Sequence, residues 1–219
     1  MENKEMFWDN KYKKEKRAWG VKPSELGVLT VQYLKNNNLN NINLEILDIG
    51  CGYGRDVFYL SKNIKGKILG IDASKEAIIL AKKGKKRDIE FRHCDFKDLD
   101  ETNYDIIISS NFYQILKKEE RNELIKTISK ILKPNGLLFL STLSVNDPEH
   151  YGKGTPITGE PNSYIIGTYV HFCSKDELEQ NFNFLDIQNL YEHEYYEPRI
   201  TGDAHHHISW ILIGKNTVN

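Results

Sequence analysis

Residues 46–56 read Ile-Leu-Asp-Ile-Gly-Cys-Gly-Tyr-Gly-Arg-Asp. A short apolar run passes through Asp48, and glycines follow at 50, 52 and 54. Glycine lets a backbone approach a ligand with no Cβ in the way and tolerates positive φ. A second acid, Asp72, ends the next apolar run, 22 residues after Gly50. That is near the spacing at which a carboxylate takes ribose hydroxyls. A dinucleotide turn has the pattern G-x-G-x-x-G and points a helix N-terminus at a pyrophosphate. Here the third glycine comes one residue early, and Asp48 in front of the turn repels phosphate and favours a cation. The implied ligand carries a ribose and a positive end, without phosphates.

A second group able to do chemistry is His205-His206-His207, with His171 upstream. A final strand running antiparallel to its sheet starts at the edge where the other strands end, which is the ligand edge. Alternation then places His205 and His207 on one face and His206 on the other. His171 follows a long irregular stretch expected over the same edge. Tyr195, Tyr196 and Arg199 read as the connection before the last strand. Three roles stay open for these imidazoles. They are polar rim groups; or His171, His205 or His207 is a general base or acceptor-positioning group, which suits a pKa near neutrality. In the third, two or three of them hold a metal with Asp147, Glu149 or Asp203. No resident metal is assigned. Cys51, Cys94 and Cys173 are odd in number, far apart and not in zinc-ligand spacing, which fits a reducing, cytoplasmic setting.

The elements that must position these groups alternate. An N-terminal helical region over about 3–35 ends in an Asn-rich linker, Asn36–Asn43. Strands are predicted over Leu44–Ile49, Lys67–Ile71, Ile89–His93, Tyr104–Ser109 and Leu137–Leu140. Helices are predicted over Gly54–Ile64, Ser74–Lys83 (N-capped by Ser74) and Lys117–Leu132, the last stopped by Pro134 and Gly136. Arg55 and Asp56 open the first of these and are read as a structural pair. Such alternation means a parallel sheet with helices on both faces. Ser144–Gly167 reads as irregular, Ser174 and Glu177 as a capping box opening a short helix, and Phe184–Leu190 and His206–Ile213 as two final strands. With no helix between them, these two pair antiparallel.

The 219 residues carry 30 Lys and Arg against 31 Asp and Glu, a net charge of −1. Nothing here draws the whole molecule to nucleic acid or an anionic membrane, and the basic runs Lys11–Arg17 and Lys82–Arg87 read as solvated surface. No apolar stretch approaches the ~18 residues of a membrane span, and Met1–Asn10 has no signal-peptide core.

Taken together, these residues resemble a family. Leu47–Asp56 resembles the first motif of the class I S-adenosylmethionine-dependent methyltransferases, and Gly70–Ser74 the second. Cys94-Asp95-Phe96 is similar to the adenine loop, Tyr104–Asn111 to the fourth strand and its end, and Leu132–Leu140 to the turn into the fifth. The segments Phe7–Tyr12, Trp19-Gly20 and Pro23-Ser24 are similar to the tellurite-resistance and thiopurine methyltransferase group. The resemblance implies a Rossmann-like, doubly wound seven-stranded α/β sheet, mostly parallel with an antiparallel last strand and helices on both faces. It implies one methyltransferase domain over 1–219. Residues 1–35 form its helical lid and 44–142 its cofactor core. Residues 143–183 lie over the acceptor pocket, and 184–214 form the last two strands.

By the same resemblance the ligand is S-adenosylmethionine. Asp48, Gly50, Cys51 and Gly52 would meet its methionine end, Asp72 the ribose hydroxyls and Ala73 the adenine ring. Cys94, Asp95 and Phe96 would serve the adenine edge, and Ser110 and Asn111 the ammonium and methyl. Tyr12 and Trp19 would close the lid. The bland role for Asp95 is a cap before Lys97. The implied partner is a small-molecule acceptor, with no nucleic acid or membrane. The rival readings are a non-catalytic cofactor-binding protein and a nicotinamide oxidoreductase.

Overall fold

The computed structural model describes residues 4–84, 88–99, 103–197 and 203–217. Two helices, α1 (Lys4–Glu15) and α2 (Glu25–Asn36), precede β1 (Leu44–Ile49). Then follow α3 (Arg55–Asn63), β2 (Gly66–Asp72), α4 (Lys75–Lys82), β3 (Ile89–His93), β4 (Tyr104–Ser110), α5 (Lys118–Ile131) and β5 (Leu132–Leu143). Three short strands come next, β6 (Thr155–Pro156), β7 (Ser163–Ile166) and β8 (Thr168–His171). The chain ends with α6 (Lys175–Asn181), β9 (Leu185–Glu197) and β10 (His205–Asn216).

The main sheet has the order β3-β2-β1-β4-β5-β10-β9, with β10 antiparallel to both of its neighbours and the other pairings parallel. The chain winds outward from β1 in one direction and from β4 in the other, so their carboxyl ends flank the switch point where such sheets open a crevice. Strand alternation feeds two cores. Ile46, Ile68, Ile106 and Ile108 face α2, α3 and α4 through Leu34, Val57, Leu60 and Ile78. Leu47, Ile49, Ile71, Ile107 and Leu140 face α5 and α6 through Leu124, Ile128 and Phe182.

Five expectations are corrected. The helix α5 ends at Ile131, and Leu132 is already extended. The strand pairing slips between Tyr104 and Ile106, so β5 absorbs Pro134 and Gly136 as an irregularity beside β4. The stretch Ser144–Gly167, read as irregular, contributes to a small antiparallel sheet, β6-β7-β8. Its strands are two to four residues long, too short for any periodicity to show. Strand β9 runs through Tyr195 and Tyr196, which are therefore not connection; it pairs with β10 from Leu185 to Glu197. Arg199, and Lys85–Arg87 of the basic run, lie outside the described residues. Glu177 is not the reciprocal half of a capping box. Ser174 accepts from the Glu177 N–H, but the Glu177 carboxylate turns to His171. Among the described residues no helix is long and apolar enough to cross a membrane.

Candidate active site

The chain leaves β1 through Gly50 (φ 76°), Gly52 (φ 54°) and Gly54 (φ 81°). The N–H groups of Gly50 and Cys51 both donate to the Ile71 carbonyl at 2.9 Å, which pins the turn to β2. A Cβ on Gly50 would lie 2.5 Å from the Phe112 ring, and one on Gly52 2.8 Å from the Tyr12 hydroxyl. Both the left-handed backbone and the close approach therefore demand glycine. Gly50→Ala is expected to lower stability by ~1–3 kcal/mol, seen as a drop in melting temperature, and to weaken ligand binding at the turn. An unchanged melting curve would contradict this account.

Asp72 accepts from the Gly52 and Ser74 N–H groups at 2.8 Å, one bond to each carboxylate oxygen. Each oxygen keeps a lone pair for the cleft. Burial raises its pKa to about 6, against the pull of those two donors. Asp48 is 2% exposed. Burial first, then the Asp56 and Asp72 carboxylates, pushes its pKa well up. A turn ringed by desolvated carboxylates is relieved by a cation.

Arg55 and Asp56 do not pair with each other. The Arg55 guanidinium lies 3.4 Å from Glu197 and 6.0 Å from the Trp19 ring centre. The Asp56 carboxylate accepts from both the N–H and the hydroxyl of Ser24 at 2.6 Å, so it anchors the N-cap of α2.

The helix α1 is docked by Asp9, which accepts from the Ser74 hydroxyl and the Glu76 N–H at the start of α4. That docking brings Trp8 and Tyr12 against Trp19 and Tyr53, whose rings stack at 6.4 Å and 13°. After β3, Phe96 packs edge-on against Phe112. Asp95 Oδ1 accepts from the Lys97 N–H at 3.0 Å, so the capping role is occupied. At the end of β4, the Ser110 hydroxyl donates to Ser24. Asn111 adopts φ 52°, and its Nδ2 donates to the Tyr195 hydroxyl at 3.4 Å.

A cavity of about 890 Å³ joins these groups. It is lined by every residue expected from the sequence to meet the cofactor, from Tyr12 and Trp19 to Asn111, with Ala73 and Cys94 among them, and by His205 and His207. Beyond Asn111 the line continues through Tyr195, whose ring lies 5.6 Å from that of His207. His205 and His207 share the cleft face as alternation requires, and His206 stacks on Tyr196 on the other side.

His171 does not join them. It is 3% exposed, its Nδ1 lies 2.8 Å from the Ser163 hydroxyl and its Nε2 2.8 Å from the Glu177 carboxylate. It is placed behind the lining residues Tyr169 and Val170 as a satisfied core histidine. The cluster instead contains His150, whose ring stacks on those of His205 and His207 at 5.2 and 5.0 Å. Asp147, wholly buried at its side chain, lies beneath, 3.0 Å from His207 Nδ1. Burial raises the pKa of Asp147, but hydrogen bonds from His150 and His207 outweigh it and hold the carboxyl well below its usual range. Asp203 is exposed. His150 sits in the stretch read as irregular, and a lone histidine there carries no periodic signal. Arg55 and Glu197 are likewise 142 residues apart in the chain.

Residues 46–136 match the model of a family described as a methyltransferase domain. That stretch is a methyltransferase domain of the class I S-adenosylmethionine-dependent kind. The chain is 34% identical over 99 residues to the cypemycin N-terminal methyltransferase of a Streptomyces species, covering 43% of this chain and 40% of that one. A solved S-adenosylmethionine-dependent methyltransferase of Methanosarcina mazei superposes with TM-score 0.67 at 25% identity, over 81% of this chain and 94% of that one. TehB of Haemophilus influenzae superposes with TM-score 0.68 at 16% identity, over 96% of this chain and 67% of that one. At that identity the likeness is one of fold, and it extends to the N- and C-terminal elements outside the common core. The chain spans about two fifths of the length of the first curated relatives it matches. The relatives' names include acceptors as different as phosphoethanolamine and a tRNA cytidine. The family's cofactor is S-adenosylmethionine, and the nicotinamide reading is discarded with this match.

Proposed function

We propose that the protein transfers the sulfonium methyl of S-adenosylmethionine to a small-molecule acceptor held at the Asn111–Tyr195–His207 end of the cleft. The observation that carries this reading is the continuity of one cavity from Asp48 and Asp72 to the histidines. Its two ends have opposite chemical needs, a nucleoside cation at one and a lone-pair donor at the other. S-adenosylmethionine supplies both the methyl group and its leaving group. The chain's task is to orient and dehydrate. Asp72 takes the ribose hydroxyls, Asp48 offsets positive charge, and Trp19 and Tyr12 exclude water above the glycine turn. Holding an acceptor at about 3–3.5 Å from the methyl supplies roughly 7–11 kcal/mol of the barrier. Ile165–Val170 of β7 and β8 also line the cavity, and this apolar lining suits a small acceptor better than a folded RNA.

The test is incubation with S-adenosylmethionine and a panel of thiols, amines, hydroxyl compounds and soft oxyanions, reading S-adenosylhomocysteine by mass spectrometry. Acceptor-dependent product in at least one well is expected. Absence of calorimetric binding to S-adenosylhomocysteine would overturn the proposal; binding without product from any acceptor would move it to a non-catalytic binding protein.

A further inference from the structure

We infer that His150, His205 and His207 form a site for one divalent transition-metal ion of the zinc class at the acceptor end of the cleft. Each offers one donor atom, and these atoms lie within 4.8 Å of one another. A tetrahedral zinc with Zn–N near 2.0–2.1 Å needs about 3.3 Å between nitrogens, so ring shifts of about an ångström close the set.

The groups around the rings support it. The carboxylates behind the rings are arranged as outer-shell partners are, each fixing an imidazole and leaving its other nitrogen for a metal. Asp147 Oδ2 lies 3.0 Å from His207 Nδ1, and Glu149 Oε1 lies 3.4 Å from His205 Nδ1. Both carboxylates are themselves held by backbone donors, Asp147 by the Glu149, His150 and Ile208 N–H groups and Glu149 by that of His206. His150 Nδ1 in turn lies 3.4 Å from Asp147 Oδ1, so the same carboxylate faces a second ring. The Asp147 and Glu149 carboxylates beside these rings also make a negative surrounding that a dication offsets. Imidazole donors select zinc, copper, nickel or iron over magnesium and calcium. The second cluster of this kind, His171-Cys173-Glu177, is unsuited. Both nitrogens of its histidine are engaged, and burial pushes the Cys173 thiol up and away from the thiolate a metal needs.

The three histidines line the cavity, so three protein ligands leave a coordination position open towards the cleft, as catalytic sites do. Resting on the methyltransferase reading above, this assigns the acceptor to the thiols or alcohols. The S–H or O–H proton passes to solvent on coordination. The retained lone pair then forms the bond to the methyl carbon as the carbon–sulfonium pair returns to sulfur.

The experiment titrates chelator-stripped, dialysed protein with Co²⁺, reading visible absorption and metal per chain. One Co²⁺ per chain with the intense bands of a four-coordinate site is expected. Binding should weaken by about 10–100-fold or more in His150→Gln and His205→Gln, and stay unchanged in His206→Gln on the opposite face. Calorimetry with S-adenosylhomocysteine on the same samples reports whether the cleft remains folded. No bound ion in the wild type, or equal binding in His150→Gln and His205→Gln, overturns the metal site. Loss of S-adenosylhomocysteine binding in the wild type with cobalt still bound would overturn the methyltransferase reading alone.

Discussion

Asp72→Ala is expected to weaken S-adenosylhomocysteine binding by roughly 10²–10⁴-fold. Two hydrogen bonds from ribose hydroxyls to a buried carboxylate contribute about 1.5–3 kcal/mol each, and every 1.4 kcal/mol is tenfold in affinity. Asp72→Asn keeps one acceptor oxygen and loses less. The wild type carries a second signature in its pH dependence. Burial raises the pKa of Asp72 in the unliganded protein to about 6, and the charged form is the one that accepts both hydroxyls. Affinity is therefore full above about pH 7 and is lost as pH falls through 6, by up to tenfold per unit. The Asn variant should lose the part of that step that belongs to Asp72. Calorimetry between pH 5 and 8 on both proteins checks this. A wild-type affinity flat across that range, or an Ala variant within threefold of wild type, would remove Asp72 from the ribose. Circular dichroism guards against misfolding, since the same carboxylate holds the Gly52 and Ser74 N–H groups.

That Asp72 would end β2 beside the glycine turn was legible in the sequence. The runs Leu44–Ile49 and Ile89–His93 are strands with the boundaries read from sequence, and Ser74 caps α4 through the Ala77 N–H. Strands buried on both faces announce themselves as apolar runs, and a glycine turn as a pattern of residues; both are local signals. Alternation was enough to put His205 and His207 on the cleft face, because a side chain's face in a strand depends on parity alone. What failed was non-local. His171 had the right neighbourhood in sequence, but its direction was decided by Ser163 and Glu177 on separate elements. His150 reaches the cluster from a turn-rich stretch in which spacing says nothing about direction. Strand β9 was cut short because its second half, Tyr191–Glu197, is charged and aromatic. It reads as a connection until its pairing with β10 is known.

The same distinction governs Asp56, adjacent to the glycine turn in sequence yet tied to residues 32 and more positions away. Its carboxylate, 4% exposed, takes the Ser24 N–H and hydroxyl. That hydroxyl in turn accepts from the Gly27 N–H at the start of α2 and from the Ser110 hydroxyl at the end of β4. One side chain thus ties α3, α2 and β4 together beneath the cofactor turn. Asp56→Ala orphans two buried donors at about 1–3 kcal/mol each and loosens an N-cap worth about another 1 kcal/mol. The expected loss is about 3–7 kcal/mol, read as a lower midpoint in urea at unchanged slope. Gly27 supplies a sharper check. In an exposed helix interior, Gly→Ala stabilises by about 0.8–1 kcal/mol. A Cβ at Gly27 would instead lie 2.7 Å from Asp56 Oδ1, so Gly27→Ala should destabilise the wild type. In the Asp56→Ala background the obstruction is gone, and the substitution should recover its ordinary, stabilising sign. If Gly27→Ala acts with the same sign in both backgrounds, the Asp56 contact is not what the start of α2 is built around.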